Sequence, residues 1–171
     1  MRNRELLVLR HAKSAWDTDA ATDFERPLAK RGRKACRRLG AWLGEQELLP
    51  DLVISSPAER AMQTARRVLD GAGGDPETIV YDDDLYGGGV AELRRLLADA
   101  HPTFRRIMVV GHNPGFEMFV EWLHGDGIDT SEGKKPFPTA ALAWFGMPED
   151  WRELNGGEGD LVWLIRPRDL K

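Results

Sequence analysis

The sequence predicts an α/β fold, a three-layer sandwich with a mainly parallel central sheet of about six strands and helices on both faces. Three observations lead there. Short apolar runs alternate along the 171 residues with amphipathic helical stretches. The first and fourth runs, Leu6-Leu7-Val8-Leu9 and Ile107-Met108-Val109-Val110, are continuously apolar, as in a strand buried on both faces. No internal repeat, low-complexity tract or linker divides the chain, so residues 1–171 are expected to form one domain, long enough to bury a core without staples.

Taken in order, strands are expected over residues 6–10, 52–55, 78–81, 107–111, 140–145 and 161–165. Residues 29–46 place Ala35, Leu39, Trp42 and Leu43 on one helical face, and residues 57–71 do so with Ala61, Ala65, Val68 and Leu69. Residues 114–124 repeat the pattern with Phe116, Phe119, Val120 and Leu123, and residues 90–99 repeat it more weakly. The last two strands are separated by a polar, glycine-rich stretch over residues 146–159, which suggests a hairpin or an edge addition and hence a mixed sheet. Ser56-Pro57-Ala58-Glu59 has the form of a capping box with proline at the first helical position. Asn113 is expected to cap the helix that starts at Pro114.

Composition narrows the function. Hydrophobic residues make up 42% and charged residues 30%, ordinary for a globular protein, and a net charge of −4 argues against broad nucleic-acid binding. The single cysteine, Cys36, excludes an intramolecular disulfide, fits a reducing compartment and falls in an apolar helical pattern that marks it as a core residue. The basic start Met1-Arg2-Asn3-Arg4 is followed by too few apolar residues for a signal peptide or a membrane span, so a cytoplasmic location without membrane attachment is expected. Oligomeric state is not encoded in any pattern of this kind, and a monomer suffices.

Three strand ends carry the chemistry: Arg10-His11, Ser55-Ser56 leading to Arg60, and Gly111-His112. In open α/β sheets ligands bind beyond the carboxyl ends of strands, where helix N-termini present N–H groups and a positive dipole to an anion. Singly, each residue has a plainer reading: a hydrogen-bonded turn histidine, or a solvated arginine paired to a carboxylate. As a set at corresponding strand ends they point to one cleft. The other two histidines fit structural roles, His101 before Pro102 in a polar connection and His124 before Gly125 at a helix end. No His-x-x-x-His, Cys-x-x-Cys or Glu-x-x-His spacing occurs, Asp82-Asp83-Asp84 reads as a solvated acidic turn, and neither metal nor cofactor is expected. Two arginines can hold a phosphoryl group by bidentate hydrogen bonds, one neutral imidazole can attack phosphorus, and the second can donate to an equatorial oxygen.

These motifs resemble the histidine phosphatase superfamily, with its phosphoglycerate mutase-like fold, and within it the SixA-type phosphohistidine phosphatases. Arg10-His11 matches the family's Arg-His motif, Ser56 through Ala65 its Ser-Pro-x-x-Arg-Ala-x-Gln-Thr-Ala signature, and Gly111-His112 its second Gly-His. The resemblance implies that His11 is a nucleophile transiently phosphorylated, with Arg10, Arg60 and His112 completing a phosphate pocket. Arg26, in Asp23-Phe24-Glu25-Arg26-Pro27-Leu28, and Ser14 match further phosphate-contacting positions. Ala12 replaces the glycine usual after the nucleophile, although alanine is found in the SixA-like branch. The Glu or Asp that protonates the leaving alkoxide in relatives acting on esters has no counterpart, since the stretch Asp84-Leu85-Tyr86-Gly87-Gly88-Gly89 places glycine there. An imidazole leaves more easily than an alkoxide, so a missing acid favours an N–P bond. A phosphorylated protein is therefore the expected partner. A small-molecule phosphomonoesterase using Asp83, Asp84 or Glu92 as acid, and a catalytically idle phosphoprotein-binding module, are the alternatives. Residues 15–27 and 125–138 are expected to cover the pocket, with Trp16 and Phe24 near its entrance.

Overall fold

The computed structural model describes residues 3–128 and 135–171. Six strands form one sheet in the order β3-β2-β4-β1-β5-β6: β1 (Arg4–Arg10), β2 (Leu52–Ser55), β3 (Val80–Tyr81), β4 (Arg106–Gly111), β5 (Leu142–Met147) and β6 (Asp160–Ile165). The first four run parallel, while β5 pairs antiparallel with β1 and with β6. The mixed sheet and its added antiparallel edge thus follow the sequence pattern. The third strand is shorter than expected because Pro76–Thr78 closes a 3₁₀ turn before it.

Five helices cover the faces: α1 (Lys30–Glu45), α2 (Glu59–Gly71), α3 (Asp84–Gly87), α4 (Val90–Ala98) and α5 (Gly115–His124). Alternate residues of each central strand face opposite cores. Leu6, Val8, Ile107 and Val109 pack with Leu93, Leu97, Phe116, Phe119 and Val120 on the α4–α5 side. Leu7, Leu9, Met108 and Val110 pack with Cys36, Leu39, Leu43, Ala61, Ala65 and Val68 on the α1–α2 side. The continuous apolar runs are therefore two interleaved faces. Cys36 is fully buried, and desolvation pushes its thiol up to about 11, which fits a packing role.

Glycines set how closely α1 approaches its neighbours. A Cβ on Gly40 would stand 2.7 Å from the Val68 carbonyl and 2.9 Å from Gly71 Cα, so α1 and α2 cross almost backbone to backbone. A Cβ on Gly32 would meet the Lys13 carbonyl at 2.1 Å, which seats the start of α1 directly on the turn after β1. At the far end of the chain's helical set, Gly125 ends α5 with φ 86° and donates to the Glu121 carbonyl, as the placement of His124 before it anticipated. Among the described residues, no helix is long and apolar enough to cross a membrane.

Candidate active site

Parallel pairing brings the three strand ends level. Arg10 lies opposite Gly111, and Ser55 opposite Val110. The ladder continues one residue further, with His11 N–H donating to the Gly111 carbonyl and Ser56 N–H to the Val110 carbonyl, each at 2.9 Å. His11, Ser56 and His112 consequently sit side by side at the carboxyl edge of the sheet. From the other flank, Ala140 N–H donates to the carbonyls of both Arg10 and His11.

The Ser56–Ala65 segment explains itself residue by residue. Thr64 Oγ1 accepts from Ala12 N–H at 3.0 Å while donating to the Arg60 carbonyl, which ties α2 to the turn after His11. Gln63 Oε1 accepts from Leu28 N–H and its amide donates to Glu59. Ala61 and Ala65 are fully buried against the sheet. The expected capping box does not form. The helix begins at Glu59 with Ala58 as its cap, and Ser56 Oγ instead accepts from Ala58 N–H and meets His112 Nε2 at 2.8 Å. The local signal lost to a tertiary partner. Likewise Asn113 lies outside α5, whose cap is Pro114, and its Oδ1 accepts from Glu117 N–H while its amide donates to the Phe137 carbonyl.

His11, Arg60 and His112 are 7%, 6% and 8% exposed, so all three are buried polar groups. The two imidazoles lie 5.0 Å apart between ring centroids. His11 Nδ1 is 2.8 Å from the Ala12 carbonyl, which can only accept; Nδ1 therefore carries the proton and Nε2 keeps a bare lone pair. Burial, with the charges of Arg60 and Arg10 nearby, holds His11 down to about 3 and His112 down to about 4, so both rings are neutral at pH 7. Arg10 donates to the Phe137 carbonyl at 3.1 Å. Buried side-chain nitrogens without a partner number four among the described residues; three are Arg10 Nε, Arg60 Nε and His112 Nδ1, and the fourth, on Arg106, lies elsewhere.

Asp23 is the residue that the sequence reading missed. Its carboxylate accepts from Arg60 Nη2 at 3.0 Å, from the Tyr86 hydroxyl at 2.8 Å and from Arg26 at 3.0 and 3.1 Å, and its carbonyl accepts from Arg60 Nη1. These donors, Tyr86 foremost, hold the carboxyl down to about 2, so it is ionised. The Tyr86 ring stands nearly perpendicular to that of His112, and Phe24 makes a similar T-shaped contact with Tyr86. The only sequence cue was the three-residue spacing of Asp23 and Arg26, which a 3₁₀ turn at residues 23–25 converts into an ion pair. Arg26 also donates to Ser14 Oγ at 2.7 Å and stacks its guanidinium 3.7 Å above the exposed Trp16 ring. Arg26 and Ser14 therefore join the site through Asp23 rather than through the histidines. Of the second expected covering segment, residues 129–134 lie outside the described residues. Asp84 is ion-paired with Arg95, and Glu92 accepts from Gly89 N–H at the start of α4. His101 is held in its own turn by Thr103.

A family model for the histidine phosphatase superfamily (branch 1) matches residues 6–87. An uncharacterized chloroplastic protein of Arabidopsis thaliana is 31% identical over 171 residues, spanning 95% of this chain and 76% of its own length. The chain belongs to the histidine phosphatase superfamily. The solved SixA protein of Agrobacterium tumefaciens, described as a candidate phosphohistidine phosphatase, superposes with a TM-score of 0.81 at 27% identity, over 98% of this chain and 100% of that one. A protein histidine phosphatase SixA complexed with tungstate superposes at 0.76, also at 27% identity, over 96% and 97% of the two chains. The superfamily match includes Arg10, His11 and Arg60 and ends before His112, which reaches the site through the pairing of β4 with β1.

Proposed function

We propose that this member of the superfamily is a metal-independent phosphatase that hydrolyses phosphohistidine in a protein, using His11 as nucleophile and Arg10, Arg60 and His112 as the phosphoryl pocket. The observation that carries the reading is the state of His11, an uncharged imidazole whose Nδ1–H is tied to the Ala12 carbonyl, leaving Nε2 free to attack. The unpartnered nitrogens of Arg10, Arg60 and His112 belong to the same cluster, and a phosphoryl group supplies the acceptors they lack. Ser56 meets His112 at Nε2, so the ring's Nδ1 is the atom left for an equatorial oxygen.

In the first step His11 Nε2 forms a bond to phosphorus as the substrate's N–P bond breaks. The electron pair stays on the departing imidazole, which takes a proton from water. In the second step water attacks phosphorus, the His11–phosphorus bond breaks, and phosphate leaves with the nucleophile restored. Among the described residues, three nearby carboxylates are already committed: Asp23 is ionised, Asp84 is bound to Arg95, and Glu92 caps α4. That supports an N–P substrate over an ester, because imidazole is the far better leaving group.

Turnover of a histidine-phosphorylated protein measured beside a panel of sugar and nucleotide phosphates tests the proposal, with His11→Ala as the control. Cleavage of the N–P bond alone, with an acid-labile phosphate trapped on His11, is the expected result; turnover of the esters with phosphohistidine untouched refutes it. Arg10→Ala and Arg60→Ala should each lose on the order of 10²-fold in kcat, as for removal of one oxyanion donor. Lysine at either position should recover part of the loss, because the charge returns without the fork.

A further inference from the structure

The exposed side of α1 has no use in the reaction just described. Lys30, Arg31, Arg33, Lys34, Arg37 and Arg38 oppose a single acid, Glu45, within the helix, giving it a charge of +5 in a chain of net charge −4. All six cations are exposed. Arg33 donates to the Leu28 carbonyl; among the described residues the other five have neither an ion pair nor a side-chain hydrogen bond. Like charges three and four residues apart, and cations in a first turn, both oppose helix formation. Apart from that one bond of Arg33, no side-chain pairing among the described residues offsets this arrangement.

Two grooves flank the helix. One, of about 520 Å³, runs between α1 and α2 and is lined by Lys30, Arg33, Lys34, Arg37 and Arg67, with Asp70 as its one carboxylate. The other, of about 200 Å³, is lined by Lys13, Arg31, Arg166 and Arg168 together with Thr139 and Ala140. The second groove borders the turn that follows β1, since Lys13 lies two residues past His11 and Ala140 bonds to the His11 carbonyl. The start of α1 is fastened there too, with Ala29 N–H donating to the Lys13 carbonyl at 2.9 Å.

We propose that the basic face of α1 and its two grooves dock an acidic segment of the protein that carries the phosphohistidine. The inference rests on the function proposed above and adds how the substrate is chosen. A helix of this length spans about 24 Å, a reach suited to a protein surface rather than to the phosphoryl group alone. A lipid surface is disfavoured because none of the exposed large apolar side chains belongs to α1, and Trp163, exposed on β6, is packed against the half-buried Trp42 of that helix. Nucleic acid is disfavoured because α1 offers no fully exposed aromatic for stacking and the rest of the chain carries a net negative charge. Cations along the approach to the pocket steer an acidic partner and hold its phosphorylated side chain at the N-terminal end of the helix.

Two synthetic peptides with a central phosphohistidine, one flanked by Asp and Glu and the other by Ser and Asn, test the docking. They are assayed with the wild type, a Lys34→Glu, Arg37→Glu, Arg38→Glu variant, and the matching Gln variant. The wild type should favour the acidic peptide by about tenfold in kcat/KM, and the preference should shrink between about 50 mM and about 500 mM salt. It should disappear in the Glu variant and weaken in the Gln variant. Turnover of phosphoramidate, too small to reach α1, should stay within about twofold in every protein, which also reports an intact fold. Equal use of the two peptides by the wild type, or a phosphoramidate loss as large as the peptide loss in both variants, overturns the docking. Should no protein cleave either peptide, the phosphohistidine reading has failed, and anisotropy with the same peptides bearing a non-hydrolysable phosphohistidine analogue decides the docking alone. Tighter binding of the acidic peptide by wild type than by the Glu variant upholds it, and equal binding overturns it. Stronger binding of phosphatidylglycerol vesicles or single-stranded RNA than of the acidic peptide overturns it as well.

Discussion

Two buried imidazoles that stay uncharged are an unusual pairing so close to two guanidinium groups, and their protonation can be measured directly. Because desolvation places His11 near 3 and His112 near 4, both rings should remain neutral in the free protein at pH 5.5 by NMR titration of their ring signals. A titration of either ring near 6.5 would contradict the burial described. Much of this cluster was legible from residue types alone: Arg10, His11 and His112 stand at strand ends, and Arg60 in the first turn of the helix after a third, where an α/β sheet collects ligands. Asp23 was not, because it meets Arg60 across 37 positions and Tyr86 across 63, and no local pattern encodes such a meeting. Ser56 misled for a related reason. Its hydroxyl fits an N-cap rule, yet the folded chain gives it His112 as a partner.

Among the elements, α1 is seated directly on the turn that follows His11, and two of its glycines should answer alanine in opposite ways. At Gly32 the new Cβ would press on the backbone oxygen of Lys13 at 2.1 Å, so the helix must move off the turn that follows His11. Gly32→Ala should cost about 1–3 kcal/mol in denaturant unfolding and lower kcat with it. At Gly44 the nearest atoms lie at 3.4–3.7 Å, an ordinary contact. Gly44→Ala should therefore stabilise the protein by about 0.5–1 kcal/mol and leave kcat alone. Equal behaviour of the two variants would show that α1 is not seated as described. Strand and helix positions followed from apolar period, since β1 and β4 are buried on both faces and α1, α2 and α5 each on one. Boundaries slipped where a turn intervened, as Pro76 did before β3.

For the molecule as a whole, the same two imidazoles make stability depend on pH. Unfolded, each takes up a proton near pH 6.5; folded, each refuses it until far lower, so their contribution is complete above pH 6.5 and is lost as the pH falls towards 4. Between pH 7.5 and 5 Asp23 stays ionised in both states and adds nothing to the change. The melting temperature should drop on the order of 5 °C over that interval, and by less in His11→Asn. An equal drop in the variant would place the pH dependence elsewhere. Finally, His11 and His112 come from opposite halves of the chain and become neighbours only when β1 and β4 lie edge to edge. On the proposed chemistry, a ribosome-bound polypeptide halted before residue 106 should be catalytically silent, and fragments divided between α4 and β4 should gain turnover only on recombining, which would make the reaction itself a reporter of chain assembly.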